Sequence, residues 1–291
     1  MKKIQRTFFP GSKWFYIKIY GGYRTIDKII THIIPKIIKE LERNEMIEKW
    51  FFIRYNDPDF HLRVTILTNI NLTEILRVFN QNLNSSIKND EIYKIQVDTY
   101  NRELERYGNS LIEIAESIFH IDSLYCVRIL RKISKTGNEN YRWLISLKLV
   151  DSFLTNLNLD LQNKSTIIEM CDHSFKTEFG FDKYNSRQFN QIFRDHKSCI
   201  EQLLNDLTQD ACLISLCSLV EKKSVDILSI LNNEPYDILQ KLQYFNQISS
   251  YVHMMLNRLF RSNARMHEMV IYDFMRRFYS SKIARKNEFN N

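Results

Sequence analysis

Glycine and proline are scarce in this sequence, with six glycines and four prolines among 291 residues. Because these residues interrupt regular structure most strongly, their scarcity favours a mostly helical chain. No apolar run reaches the length of a membrane span, and no apolar signal-peptide core follows the N-terminal residues MKKIQRTFFPG. We therefore expect a soluble, cytoplasmic protein without a membrane span.

Motifs for metal, nucleotide and hydrolase chemistry are also missing. The five cysteines include no CxxC pair and no Cys/His cluster with metal-ligand spacing, so we expect reduced thiols, no metal and no cofactor. There is no glycine-rich phosphate loop, no GxSxG elbow and no HExxH motif. A nucleotide-binding enzyme or a metallohydrolase is not indicated.

The chain is basic, with a formal net charge of +7 and an isoelectric point near 9.0. This charge permits an acidic substrate or a nucleic acid, but it is spread along the chain without a block of like charges. No nucleic-acid-binding motif accompanies the charge, so RNA binding is a weak alternative and we expect no direct nucleic-acid partner.

The first hundred residues alternate strand and helix patterns. Strands are predicted by aromatic and β-branched runs, and helices by apolar residues at helical spacing. Pro35 lies inside the first helical pattern and is expected to kink or split it. The predicted strands are Trp14–Tyr20, Trp50–Tyr55, His61–Leu67 and Tyr93–Thr99, and the predicted helices are 25–42 and 72–84.

From about residue 108 onward the sequence shows helical periods and almost no strand signal. Predicted helices cover 108–133, 139–157, 163–179, 186–206, 209–221, 235–260 and 264–283. These patterns predict an α+β protein in which an N-terminal mixed β-sheet layer with helices (1–107) is followed by a mainly α-helical bundle (108–291). We expect the helical part to pack on the sheet layer as one compact unit.

The predicted third strand carries a candidate anion-binding surface. Strand alternation places His61, Arg63 and Thr65 on one face and apolar residues on the other. A histidine and an arginine on one face can form a cationic binding surface. The alternative is a solvent-facing edge of the sheet.

A second candidate follows the last predicted strand, in the segment YNRELERYG. In a helical turn Arg102 and Arg106, four residues apart, would share a face and repel unless an anion lies between them. Glu103 and Glu105 could supply that charge, and such internal ion pairing is the structural alternative.

A third candidate is the helix predicted to end near Phe260. Opposite its apolar stripe it carries an uncharged polar face, which is unusual for a solvated helix and could line a polar cavity. His253 lies on that face. Histidine is a common acid–base catalyst, although a lone helical histidine is more often structural. Phe119–Ser123, with Asp122 near an apolar face, is interpreted as structural.

Four blocks of the sequence, taken together, resemble a known family. They read RTFFPGSKWFYIKIYGG, WFFIRYNDPDFHLRV, YNRELERYG followed by IFHIDS, and YVHMMLNRLF. In this order they are similar to the blocks of the lantibiotic dehydratase C-terminal domain, which also recurs in thiopeptide-type bacteriocin biosynthesis proteins. The resemblance covers residue 6 to about 260.

In that family the domain eliminates glutamate from glutamylated Ser or Thr of a ribosomally made precursor peptide, leaving dehydroalanine or dehydrobutyrine. A separate, larger domain first attaches glutamate taken from glutamyl-tRNA. No counterpart of that domain is seen here, so the chain resembles the small half of a split dehydratase. The resemblance implies a lyase of antibiotic biosynthesis whose partners are a precursor peptide and a larger glutamylating protein. A homodimer is a further expectation.

The resemblance also implies site residues. Arg63 and Arg106 or Arg102 would bind the glutamyl group, and His253 would handle the proton. Further substrate contacts are expected from His61, Asn257, Tyr251 and Thr65.

One position departs from the family pattern. Eliminating members commonly carry a second arginine two residues after the first, where this chain has Thr65. A related branch of the same fold forms the pyridine ring of thiopeptides by cycloaddition. The missing arginine favours that branch, whereas the presence of Arg63, Arg102, Arg106 and His253 favours elimination. A non-catalytic subunit that binds peptide or partner is the third alternative.

Overall fold

The computed structural model describes residues 4–69, 71–180 and 183–289. The strands are β1 (Thr7–Phe8), β2 (Trp14–Gly21), β3 (Ile47–Asn56), β4 (Phe60–Thr68), β5 (Ile92–Val97) and β6 (Tyr100–Asn101). The helices of the N-terminal part are α1 (Tyr23–Lys28), α2 (Ile34–Arg43) and α3 (Leu72–Lys88), with a π-helical turn at Ile29–Ile33. The predicted α+β class is confirmed.

The main sheet has the strand order β3-β4-β2-β5, and all of its described pairings are antiparallel. The expectation of a mixed sheet is wrong because β4 lies between β2 and β3, which run in the same direction. The helical connections α1–α2 and α3 each skip one strand position. This is the β-α-β-β-α-β arrangement of ferredoxin-like folds. A separate two-stranded sheet, β1 with β6, was not predicted.

Pro35 splits the first helical pattern, as the sequence predicted. The helix turns π-helical at Ile29–Ile33 and resumes as α2, with the proline in the first turn. Proline is tolerated there because its missing N–H would have no intrahelical partner.

One face of the sheet forms the core of the N-terminal part. Phe15 on β2 lies 5.5 Å from Phe79 on α3, measured between ring centroids. On β4, Leu62, Val64 and Ile66 are fully buried, which agrees with the predicted apolar face.

Backbone groups along the outer edge of β3 form hydrogen bonds with side chains rather than with another strand. The N–H of Phe52 donates to Ser123 Oγ at 3.1 Å, and the N–H of Arg54 donates to Asn257 Oδ1 at 2.9 Å. Asn257 also donates from Nδ2 to the carbonyl oxygen of Arg54 at 2.9 Å. These bonds occupy backbone groups that would otherwise pair with another chain.

The segment Phe119–Ser123 contributes to the same packing. His120 Nδ1 lies 3.0 Å from the carbonyl oxygen of Trp50 on β3. Asp122 is buried, and its carboxylate lies 3.6 Å from the guanidinium of Arg258. These placements fit the structural interpretation of the segment.

The remaining helices follow the sequence prediction, with the two largest differences after residue 209. They are α4 (Leu104–Thr136), α5 (Asn140–Asn156), α6 (Leu161–Glu178), α7 (Lys183–Leu204), α8 (Ala211–Leu231), α9 (Tyr236–Leu242), α10 (Phe245–Leu259) and α11 (Ala264–Phe289). α8 continues ten residues beyond its predicted end. The helix predicted at 235–260 divides at Gln243 and Tyr244, where no glycine or proline marks the turn.

The chain divides into two compact units. One runs up to Lys135 and includes Asn257–Ser262; the other comprises Thr136–Leu256 and the residues from Asn263 onward. The chain changes from strands to helices near the boundary predicted at 107/108. That this position is also a domain boundary stays a prediction. Every helix in the described ranges is too short or too polar to span a membrane.

Candidate functional site

The predicted cationic strand lies inside the sheet. β4 pairs with β3 on one side and with β2 on the other, so the alternative of a solvent-facing edge is wrong. The register places His61 opposite Tyr20, Arg63 opposite Lys18, and Thr65 opposite Tyr16. We call this side of the sheet the polar face: Tyr16, Lys18, Tyr20, Tyr55, His61, Arg63 and Thr65.

Arg63 is held in place by two neighbours on the polar face. Its Nε donates to His61 Nε2 at 2.9 Å, and its guanidinium carbon lies 3.4 Å from the centroid of the Tyr55 ring. No carboxylate among the described residues forms an ion pair with Arg63. Its terminal nitrogens are therefore oriented by neutral groups and suited to binding an anion with two parallel hydrogen bonds.

His61 is completely buried beneath this arginine. Its Nδ1 lies 2.7 Å from the carbonyl oxygen of Asp59, and its ring stacks on Tyr20 with centroids 4.6 Å apart. Nδ1 donates to the carbonyl, and Nε2 accepts from Arg63. The His61 ring is therefore the neutral tautomer with its proton on Nδ1. Burial lowers the pKa of His61, and Arg63 and Lys18 lower it further.

The polar face has a threonine where a second arginine is common in the family, and its other cation is a lysine. Thr65 is buried and carries no charge. The neighbouring cation is instead Lys18, directly across from Arg63 on β2. Lys18 Nζ lies 2.6 Å from Asp98 Oδ2, and its ammonium lies over the Tyr16 ring.

We call the segment YNRELERYG the RELER block, and its two arginines differ in their surroundings. Arg102 is buried and bound through Nε and Nη2 to both oxygens of Glu116, each at 2.7 Å. Arg106 is exposed and lies 3.3 Å from Glu103. Because α4 begins at Leu104, the two arginines do not share a helical face. Both arginines therefore form ion pairs within the protein. Arg106 pairs with Glu103, as the structural alternative expected, and Arg102 pairs with Glu116, a partner that the sequence did not suggest.

Asn257 and Tyr251 are engaged in packing. Asn257 makes the two hydrogen bonds to the backbone of β3 described above. Tyr251 is buried, and its ring lies 5.7 Å from that of Phe153. Both residues therefore contribute to the packing of the fold. Their contacts with a substrate stay predictions.

His253, on α10, forms a pair with a carboxylate. Its Nδ1 lies 2.8 Å from Glu268 Oε2, and Tyr272 donates its hydroxyl to Glu268 Oε1 at 2.9 Å. Glu268 is buried, whereas about a quarter of the His253 side chain is exposed. Burial and the nearby Glu268 raise the pKa of Tyr272 well above its usual value, so it stays a neutral donor.

This arrangement gives His253 the local geometry of a general base. A carboxylate on Nδ1 fixes the ring and stabilises the imidazolium that forms when Nε2 accepts a proton. Tyr272 in turn fixes the carboxylate. The polar groups of His253, Glu268 and Tyr272 thus form one hydrogen-bonded chain within their unit.

Sequence reasoning missed Glu268, Tyr272, Lys18 and Asp98. A faint signal existed for the first two, because Glu268 and Tyr272 are four residues apart and Glu268 precedes the apolar run MVIY. Lys18 alternates with Tyr16 and Tyr20 along β2, but only the register reveals that it faces Arg63. Among the described residues, no group of three or more His, Cys, Asp or Glu could hold a metal ion.

Comparison with known proteins decides the family. The family model described as lantibiotic biosynthesis dehydratase C-term matches residues 14–279. The chain belongs to this family. The match spans both compact units and includes the polar face, the RELER block and His253.

Relatives and solved structures agree with this assignment. The subtilin biosynthesis protein SpaB of Bacillus subtilis is 23% identical over 284 residues, which are 96% of this chain and 26% of that protein. The chain therefore spans about a quarter of that relative's length.

Two solved structures share the fold. The tRNA-dependent lantibiotic dehydratase MibB from Microbispora sp. 107891 has a TM-score of 0.77 at 16% identity, over 98% of this chain and 29% of that one. TbtD, the pyridine synthase from thiomuracin biosynthesis, has a TM-score of 0.59 at 13% identity, over 92% of this chain and 99% of that one.

Proposed function

We propose that this chain eliminates glutamate from glutamylated Ser or Thr residues of a ribosomally made precursor peptide. The observation that carries the proposal is Arg63: an arginine on a rigid sheet, oriented by His61 and Tyr55, without an ion-pair partner among the described residues. Membership of the lantibiotic dehydratase C-terminal family supports the same reaction.

The reaction requires a base and an anion-binding group. In the proposed step, His253 Nε2 takes the Cα proton of the esterified residue. The electron pair forms the Cα–Cβ double bond, the bond from Cβ to the ester oxygen breaks, and glutamate leaves as a carboxylate. Glu268 holds the His253 ring through Nδ1 and leaves Nε2 to take the proton.

We assign Arg63 to the glutamyl carboxylate. Its planar guanidinium suits a carboxylate, and cations held in place before the reaction stabilise negative charge as it develops. Arg106 is a second candidate, because an exposed pair such as that with Glu103 is weak and can be exchanged for a substrate carboxylate. Arg102 positions the segment through Glu116.

The proposed partners follow from the same reaction. A glutamyl-tRNA-dependent glutamylating protein would supply the ester, and the precursor peptide would carry it. The name of MibB, a tRNA-dependent lantibiotic dehydratase, supports a tRNA-linked first step in a protein of this fold.

Ring-forming cycloaddition is the second candidate function. Its supporting observations are the fold shared with TbtD along nearly its full length and the threonine at position 65. Incubating the protein separately with a glutamylated peptide and with a peptide carrying two dehydroalanines, followed by mass spectrometry, distinguishes the two. Loss of glutamate supports elimination; ring formation with leader-peptide release supports cycloaddition.

A further inference from the structure

A carboxylate lies beside the cations of the polar face. The N–H of Asp98 donates to the carbonyl oxygen of Tyr16 at 3.0 Å, which places Asp98 next to β2 just after the end of β5. Its Oδ2 lies 2.6 Å from Lys18 Nζ, and Lys18 is directly opposite Arg63. Two cations and one anion therefore share this part of the sheet.

Asp98 retains capacity for another donor. Its Oδ2 contacts Lys18, and its Oδ1 accepts from the N–H of Thr99 at 2.7 Å. An ionised carboxylate accepts about four hydrogen bonds. The hydrogen bond from Lys18 holds the pKa of Asp98 below its usual value. About a third of the side chain is exposed, so a ligand can reach it.

The proposed substrate carries charges of both signs. An aminoacyl-tRNA holds its amino acid through the α-carboxyl group, so a glutamyl group transferred from it keeps a free α-ammonium and a side-chain carboxylate. Arg63 alone would recognise only the carboxylate. A site for the whole group needs an anion near that arginine.

We propose that Asp98 binds the α-ammonium of the glutamyl group whose carboxylate is bound by Arg63. This inference rests on the proposed function. Lys18 pairs with Asp98 and holds its carboxylate in place on the polar face. The face thereby selects a glutamyl group over a plain dicarboxylic acyl group, because only the glutamyl group offers a cation to Asp98.

Binding of two amide analogues tests this selection without requiring catalysis. N-acetyl-diaminopropionamide is acylated on its side-chain nitrogen either by the α-carboxyl of glutamate or by glutarate, which lacks the ammonium. Affinities for the full chain are measured by calorimetry. We expect about tenfold tighter binding of the glutamyl analogue, typical of a hydrogen bond between charged groups.

The Asp98→Asn variant should remove this difference. Asparagine keeps an oxygen for the N–H of Thr99, so the local fold is retained, while the negative charge is lost. Glutamyl affinity should fall to the glutaryl level, and glutaryl affinity should stay equal or rise because a repelling carboxylate is gone. Arg63→Gln, as the matched control, should weaken both analogues alike.

Equal affinity of the wild-type chain for the two analogues would overturn the inference, as would absence of binding to either. A preference that survives in Asp98→Asn would also overturn it. Elimination from a glutamyl ester is measured on the same preparations. A chain that prefers the glutamyl analogue but releases no glutamate would contradict the proposed reaction and leave the ammonium site intact.

Discussion

Arg63 donates from Nε to His61 Nε2 at 2.9 Å, so a completely buried histidine orients the arginine assigned to the substrate carboxylate. His61 in turn donates from Nδ1 to the carbonyl oxygen of Asp59. The turn between β3 and β4 thus fixes the orientation of the His61 ring, and that ring fixes the orientation of the Arg63 guanidinium. Because His61 is buried, we expect it to act through Arg63 rather than on the substrate.

Replacing His61 should therefore change substrate binding more than turnover. His61→Phe keeps an aromatic ring against Tyr20 but removes the acceptor for Arg63, and we expect KM for the glutamylated peptide to rise about tenfold. His61→Gln can offer an oxygen to the same Nε–H and should restore most of the affinity. Steady-state kinetics of both variants provide the measurement; equal KM values in the two would contradict the positioning role.

Arg102 should prove structural. Breaking a buried ion pair by removing one partner costs about 3–5 kcal/mol, so Glu116→Gln should lower the free energy of unfolding by an amount of that order. Arg63→Gln should change it by less than about 1 kcal/mol, because Arg63 forms no ion pair with any residue that the structure describes. Urea unfolding followed by circular dichroism compares the variants. A larger loss of unfolding free energy in Arg63→Gln than in Glu116→Gln would contradict both assignments.

Glu268 should matter for the chemical step. We expect Glu268→Gln to lower kcat by about 10²-fold or more with little change in KM, because the imidazolium of His253 loses its counterion. Tyr272→Phe, which removes only the hydrogen bond to the carboxylate, should show a smaller loss. Single-turnover release of glutamate reports the step directly, and unchanged rates in Glu268→Gln would exclude the proposed base.

Stability should fall in mild acid. Burial is the main cause that lowers the pKa values of His61, His120 and His267 in the folded protein. The unfolded chain, with histidine pKa values near about 6.5, then binds more protons than the folded chain. Their contribution is fully present above that pH and is lost as the pH falls through the lowered values.

Thermal unfolding between about pH 7.5 and pH 5 measures this effect. The melting temperature should decrease towards acid, and His61→Gln should show a shallower decrease because one of the three groups is removed. A melting temperature that rises as the pH falls would contradict the sign.

Local sequence patterns predicted most of the elements but few of their partners. The aromatic and β-branched run at Trp14–Tyr20 and the proline at 35 indicated β2 and the split helix correctly, because both signals act within a few residues. The two-residue strands β1 and β6 are too short to leave a pattern. The order of the strands depends on packing between distant segments, so the sheet was wrongly expected to be mixed.

The candidate site shows the same limit. Alternation along β4 correctly paired His61 with Arg63, since side chains two residues apart share a face. The acid that binds Arg102 is Glu116, and the acid that binds His253 is Glu268, each on another turn or helix. Such long-range pairs are decided by the fold and leave only weak marks in the sequence.

His253 is the proposed base in glutamate elimination. Mass spectrometry of a glutamylated precursor peptide, incubated with the wild-type chain and with His253→Ala, measures whether the reaction depends on it. We predict that the wild-type chain converts the glutamylated residue to its dehydrated form and that the variant leaves the ester intact. An unchanged ester with the wild-type chain would contradict the proposed reaction, and full elimination by His253→Ala would exclude His253 as its base.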